Sequence, residues 1–267
     1  MPIEFNNKSG IKPGLVIYLT TGDPDLATTR DVALAAIDAG AEVLELGVPF
    51  SDPVADGPVI QRAGERSLAR GTTLKDVLAL AAELRALRPS AGLIIFSYFN
   101  PILRFGLGRF CAHAASCGVD GVLVTDMIVE EAEEYLNEMR DNGLKPIFLA
   151  APTSTDHRLR MIAGVSEGFV YAISRVGITG NQQNLATDAS RLVGRLRQFT
   201  QLPIAVGFGI STAEHVAAVG EFADAAVLGT TIVALIEKAE PGKEAATVSA
   251  FLQGLRQQPM PSLQTQS

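Results

Sequence analysis

A glutamate stands inside an apolar run, Val43-Leu44-Glu45-Leu46-Gly47-Val48. The chain then enters a stretch with three prolines, a glycine and two more carboxylates: Pro49-Phe50-Ser51-Asp52-Pro53-Val54-Ala55-Asp56-Gly57-Pro58. In an extended strand alternate side chains face opposite ways, so Leu44, Leu46 and Val48 share one face and Glu45 takes the other with Val43 and Gly47. An unpartnered carboxylate is costly to bury, so its place in such a strand needs a reason. Prolines, glycine and aspartates after the strand predict a stiff polar loop. A strand-borne acid beside a rigid acidic loop is the composition of a catalytic centre. A plainer reading of Glu45 is a structural carboxylate paired with an arginine or tyrosine, and a plainer reading of Asp52 and Asp56 is turn capping.

A second group of residues has the chemistry of anion binding. Gly207-Phe208-Gly209-Ile210-Ser211 and Leu228-Gly229-Thr230-Thr231 are glycine-rich, and Gly177-Ile178-Thr179-Gly180 is a third such loop. Glycine lets backbone amides approach a phosphate closely, and Thr230 offers a hydroxyl at an expected helix N-cap. The alternative is a set of tight turns leading into capped helices.

Elements of regular spacing must hold these groups. Strands are expected at Leu15–Thr20, Val43–Val48, Leu93–Tyr98, Gly121–Thr125, Pro146–Ala150, Phe169–Ser174, Ile204–Gly207 and Ala225–Leu228. Amphipathic stretches between them predict helices at Thr28–Ala39, Thr73–Leu87, Leu107–Cys117, Val129–Asn142, Asp156–Val165, Ala186–Thr200 and Ala213–Val219. A short helix at Ile232–Glu237 and another near Lys243–Leu255 follow the last strand. Eight strand–helix units in alternation predict an α/β fold, a single-domain (β/α)8 TIM barrel over residues 1–256, with a polar, proline-interrupted tail at 257–267 expected to be disordered. An open doubly wound sheet would want a glycine fingerprint after the first strand, and Gly22-Asp23-Pro24 is not one. In a barrel the chemistry lies at the C-terminal strand ends, which is where both residue groups fall.

The chemistry is narrowed by what those ends lack. Lysine occurs only at positions 8, 12, 75, 145, 238 and 243, none of them at a C-terminal strand end, so a Schiff-base mechanism lacks its nucleophile. Asp23, Glu45, Asp52, Asp56 and Asp126 have the oxygens to gather a cation, but the three histidines (His113, His157, His215) have no metal-ligand spacing. No metal and no cofactor are expected, and acid–base work by one or two carboxylates remains.

Across all 267 residues the net charge is −7 and hydrophobic content 47%, which allows a large core and argues against nonspecific nucleic-acid binding. No apolar run reaches the ~20 residues needed to span a bilayer, and the N-terminus lacks the layout of a secretory signal. A soluble cytoplasmic protein is expected. Cys111 and Cys117, six residues apart on one expected helix, point to different faces and read as reduced core thiols.

The stretch from Glu45 to Pro58 closely resembles the signature of the tryptophan synthase alpha subunit family. The similarity extends over nearly the whole chain, through Tyr18-Leu19-Thr20-Thr21-Gly22-Asp23-Pro24, Asn100-Pro101-Ile102, Gly168-Phe169-Val170-Tyr171, Ser174 to Gly180 and Gly207 to Ser211. The resemblance implies a lyase that cleaves indole-3-glycerol phosphate to indole and glyceraldehyde 3-phosphate, and a tryptophan synthase beta subunit as partner in an α2β2 complex. It implies that Glu45 is the general acid–base and Asp56 the aspartate at the indole nitrogen. Gly180, Phe208, Gly209, Gly229 and Thr230 match phosphate-binding positions. Tyr18, Phe96, Leu123, Thr125, Tyr171 and Thr179 match the indole pocket and its closing loop. The chain departs from the family in Asp126-Met127-Ile128, where a proline is usual, in Thr230, where serine is usual, and in Asn6-Asn7-Lys8-Ser9-Gly10, where the family places a helix. A stand-alone lyase releasing indole, or a subunit whose main task is to activate the beta chain, are the alternatives.

Overall fold

The computed structural model describes residues 3, 5, 13–173, 182–207 and 209–257, with side chains for all of these except 182–186 and 257. The chain opens with β1 (Gly14–Thr20), α1 (Leu26–Asp38) and β2 (Val43–Gly47), followed by two helices, α2 (Pro58–Ala69) and α3 (Leu74–Leu87). Then come β3 (Gly92–Ser97), the short α4 (Phe99–Phe105), α5 (Leu107–Ser116), β4 (Gly121–Val124), a 3-10 turn at Val129–Glu131 and α6 (Glu133–Asp141). The second half carries β5 (Lys145–Ile147), β6 (Leu149–Ala150), α7 (Asp156–Val165), β7 (Val170–Ile173), α8 (Gln182–Leu196), β8 (Ile204–Gly207), α9 (Ala213–Gly220), β9 (Ala225–Leu228), α10 (Thr230–Lys238) and α11 (Glu244–Gln257).

All strand pairs are parallel, in the order β5-β4-β3-β2-β1-β9-β8-β7-β6. The two ends of that order, β5 and β6, are halves of one stretch, 145–150. Lys145–Ile147 pair with β4 on one side and Leu149–Ala150 with β7 on the other, so this stretch closes the barrel. The expected strand Pro146–Ala150 is therefore right in place and split in its pairing.

Alternation sorts the strand residues into two cores. Val16, Val43, Ile94, Leu123, Ile147, Phe169, Ala205, Ala225 and Val227 fill the barrel interior. Leu15, Ile17, Leu19, Leu44, Leu46, Leu93, Ile95, Val122, Val206 and Leu228 pack outward against the helices. Each strand thus buries both faces, which is why it reads as nearly continuous apolar sequence. At the bottom, Ile3 and Phe5 pack onto the interior cluster, and the Phe5 ring meets Phe169 edge-on at 5.6 Å. This end is closed by two apolar side chains of the N-terminal segment. Residues 6–10 lie outside the described residues, as do residues 258–267 of the expected tail.

Two helices were not predicted from the sequence. Pro58 stands at the first position of α2, where its missing N–H costs nothing, and Gly57 takes the N-cap. The proline and glycine that read as loop are thus a helix start. In α4, Pro101 occupies the first turn for the same reason. The helix α8 begins at Gln182, four residues before its expected start at Ala186. Cys111 and Cys117 are buried free thiols.

Candidate active site

Glu45 lies in the middle of β2 on the interior face, in register with Tyr18 of β1 and Ile94 of β3. It is fully buried, and neither carboxylate oxygen has a hydrogen-bond partner among the described residues. An ionised carboxylate there would be neither solvated nor paired, so burial alone pushes the Glu45 carboxyl up to about 8. The group is poised to hold a proton near neutral pH and to give it up there.

The glutamate lines a cavity of about 590 Å³, counted with its open mouth. Tyr18, Phe96 and Tyr171 line it with aromatic rings, and Gly209, Gly229 and Thr230 line it as well. Tyr18 and Phe96 meet edge to face at 5.1 Å. Two glycines make room for the tyrosines. A Cβ on Gly47 would stand 2.4 Å from the Tyr18 hydroxyl, and one on Gly207 would stand 2.7 Å from that of Tyr171. Burial raises the Tyr18 phenol far above its ordinary range, with Asp56 and then Glu45 adding to it. Desolvation and Glu45 do the same to Tyr171. Both phenols therefore stay protonated beside the glutamate.

Asp56 does not itself line this cavity. It ends the loop after β2, where its carboxylate accepts from the Tyr98 hydroxyl at 3.1 Å. The same hydroxyl accepts from the Ala55 amide at 2.9 Å, and Gln61 on α2 donates to the Asp56 carbonyl at 2.9 Å. The loop is thus pinned from two sides. Burial raises the Asp56 carboxyl, against the opposing pull of the Tyr98 hydrogen bond. Its charge reaches the Tyr18 phenol, which joins the loop electrostatically to the cavity wall. Asp52 is exposed and accepts from Ser51, well away from such burial.

At the other end, Gly209 has a φ of +66°, and a Cβ there would meet nothing within 4 Å, so its backbone faces open space. The helix α10 begins at Thr230 with Gly229 in the N-cap place and no side-chain cap. The expectation that Thr230 is the N-cap is corrected by one residue. As the first helical residue it adds its own amide to those of Thr231 and Ile232, which a helix start leaves without intrahelical acceptors. The Thr231 hydroxyl donates to the Ile210 carbonyl at 2.7 Å and ties the two glycine loops together. Backbone donors converging with the positive end of a helix dipole suit a phosphate.

The structure gathers Glu45, Tyr18, Phe96, Tyr171, Gly209, Gly229 and Thr230 around one cavity. Leu123 sits below it, in the interior cluster and paired in register with Phe96. Thr125 stands just past β4, its hydroxyl on the Ser97 carbonyl at 3.4 Å. Thr179, Gly180 and Phe208 lie outside the described residues. Sequence reasoning missed Tyr98, Ile60, Val227 and Thr231. Alternation already turned Val227 inward, and Thr231 belongs to a chosen glycine loop without having been singled out in it. Tyr98 gave no signal beyond ending a strand, and Ile60 belongs to an unpredicted helix.

A profile of the family described as tryptophan synthase alpha chain matches residues 5–259. A tryptophan synthase alpha chain from Solibacter usitatus is 50% identical over 227 residues, 85% of each chain. One from Neisseria meningitidis is 45% identical over 242 residues, covering 91% of this chain and 92% of its own. Among solved structures, the tryptophan synthase subunit alpha of Legionella pneumophila superposes with a TM-score of 0.85 at 34% identity, covering 94% of both chains. A chain of the aminoacrylate-bound tryptophan synthase of M. tuberculosis gives 0.83 at 31% identity, covering 93% of this chain and 94% of that one.

Proposed function

The chain belongs to the tryptophan synthase alpha chain family, and we propose that in that family's reaction Glu45 is the general acid–base and Asp56 the carboxylate facing the indole nitrogen. The protein is a carbon–carbon lyase of tryptophan biosynthesis that cleaves indole-3-glycerol phosphate to indole and glyceraldehyde 3-phosphate, as the alpha subunit beside a beta subunit. The observation that carries the assignment of Glu45 is its burial with both oxygens unpartnered among the described residues, in the wall of a cavity that Gly207, Gly209 and Gly229 also line.

Retro-aldol cleavage needs a proton delivered to indole C3 and another removed from the hydroxyl on the adjoining side-chain carbon. The bond between C3 and that carbon then breaks, leaving indole and the aldehyde, with no proton gained or lost overall. One carboxyl can serve both sites in turn, provided it is protonated first. Its raised pKa supplies that proton near pH 7. Protonation at C3 puts positive charge on the indole nitrogen, and the Asp56 carboxylate, which Tyr98 holds, would balance it. The aromatic rings of Tyr18, Phe96 and Tyr171 take the indole. Gly209, Gly229 and Thr230, with Gly180 and Phe208, take the phosphate. The departure from serine to threonine at 230 leaves the amide in place.

The test is Glu45→Gln in the complex with the beta subunit. Loss of cleavage with phosphate binding retained is expected, and retained turnover would sink the assignment. Indole release by the isolated chain, compared with release after the beta subunit is added, separates a stand-alone lyase from a subunit that depends on its partner. A large stimulation is expected. We place the barrel domain at 1–256 and the protein in the cytoplasm. No helix among the described residues is long and apolar enough to cross a membrane, and cell fractionation checks the compartment.

A further inference from the structure

Arg66 on α2 joins charged groups from three parts of the barrel top, and the reaction as described leaves it without a task. Its Nε and one Nη donate to the two oxygens of Asp23 at 2.7 and 2.8 Å. Its other Nη donates to Glu237 Oε1 at 2.8 Å. One turn earlier, Arg62 donates to both oxygens of Glu237 at 2.9 and 2.7 Å. Asp23 is buried in the loop after β1, and Glu237 lies in the last turn of α10. Two guanidiniums and two carboxylates alternate, so the chain of ion pairs is neutral. The Glu237 carboxyl is held down at about 2, by Arg62 first and then Arg66.

Among the described residues, the other contacts of α2 are apolar packing and single hydrogen bonds. Its inner face seats Ala63 against Tyr18 and Val233, with Ile60 lining the cavity. Apolar contact of that kind is non-directional and constrains the axial position of a helix less sharply than an ion pair of fixed geometry. The Ser67 hydroxyl donates to the Thr21 carbonyl at 2.6 Å, a single tether. A two-pronged guanidinium–carboxylate pair is planar and fixes both distance and orientation. The N-terminal end of α2 carries the chemistry. Asp56 precedes Pro58 by two residues, and Gln61 holds its carbonyl. Displacing α2 by a fraction of a turn moves Asp56 and Ile60 together.

We propose that Arg66 is a positioning residue of the cleavage reaction: by clamping α2 to Asp23 and Glu237 it sets the axial position of that helix, and through it the place of Asp56 against the indole nitrogen. The inference rests on the reading of Asp56 given above. It assigns Arg66 to the transition state and not to substrate capture, because the glycine loops that take the phosphate are held by Thr231 and by their own strands.

The experiment compares Arg66→Lys, which keeps the charge and loses the fork, with the double variant Asp23→Asn/Arg66→Gln, which removes the buried charge altogether. Both are assayed as full chains in complex with the beta subunit. A misplacement on the order of 1 Å costs up to ~100-fold, so kcat for indole-3-glycerol phosphate cleavage is expected to fall at least about tenfold in each. KM, and the affinity for inorganic phosphate, are expected to stay within about twofold. Circular dichroism reads the fold and the Tm. A folded Arg66→Lys with wild-type kcat overturns the inference, and so does a parallel loss of kcat, phosphate affinity and Tm in both variants, which marks a purely structural role. A wild-type complex that fails to cleave the substrate fails the functional reading instead, so the two failures are distinguishable.

Discussion

Glu45 couples activity to stability through one proton. Its carboxyl titrates near 4.5 in the unfolded chain and at about 8 in the folded one, so the folded state holds the extra proton between those values. Stability tied to this group is therefore complete below about pH 4.5 and is lost as the pH rises toward 8, by a total on the order of 4 kcal/mol. The neutral isostere Glu45→Gln escapes that loss. Its Tm is expected to exceed that of the wild type increasingly between pH 5 and pH 8, while its cleavage activity is absent. Thermal melts across that range check the sign, and a widening gap in the wild type's favour would refute it. Cleavage by the wild type should fall above about pH 8, as the proton that C3 requires is lost. Close by, Gly207 gives a second residue-level test. The Cβ of Gly207→Ala would meet the Tyr171 hydroxyl at 2.7 Å, whereas the next ring atoms are 3.2 Å or more away. Gly207→Ala should lose activity, and adding Tyr171→Phe should restore part of it, a coupling that a double-mutant cycle measures.

The loop after β2 shows how a single side chain orders an element. The Tyr98 hydroxyl accepts a hydrogen bond from the Ala55 amide and donates one to Asp56, so one hydroxyl fixes two successive residues. Tyr98→Phe leaves the stacking of its ring on Phe50 in place and removes both bonds. We expect kcat to fall roughly tenfold with the fold intact, since a charge-assisted hydrogen bond contributes about 1.5–3 kcal/mol. The glycine loops depend likewise on Thr231, whose hydroxyl binds the Ile210 carbonyl. Thr231→Val should raise KM more than it lowers kcat, because it loosens the phosphate end alone. Steady-state kinetics on the two variants therefore separate the two ends of the cavity.

At the level of the whole molecule, the barrel top carries exposed apolar side chains that the fold does not use. Val54 is 87% exposed on the loop after β2, Leu103 is 58% exposed on α4, and Ile128 is 42% exposed beyond β4. They follow three neighbouring strands, and α4 is an addition to the simple strand–helix rhythm. We propose this side of the top as the face that meets the beta subunit, with Asp52 and Val54 in the contact. Val54→Asp is expected to weaken association with the beta subunit at least about tenfold, without altering the melting of the isolated chain. Titration of one subunit against the other reads the affinity.

The sequence by itself determined the barrel and the inward turn of Glu45, because a period of two in eight apolar runs leaves each strand residue only one of two faces. It determined the glycine loops as well, since no other residue allows that backbone approach. Its strands lie within a residue or two of those observed, and the family signature from Glu45 to Pro58 carried the chemistry. The sequence did not reveal α2 and α4, because a proline in the first turn of a helix looks the same as a proline in a loop. The unpartnered state of Glu45, the hold of Tyr98 on Asp56, and the chain of ion pairs from Asp23 through Arg66 to Glu237 were decided only by the tertiary structure. These join residues 42 to 171 positions apart, and a partnership at that separation leaves no local pattern. A pKa set by desolvation likewise belongs to the assembled barrel, whose walls remove water from a carboxylate that the strand alone would leave exposed.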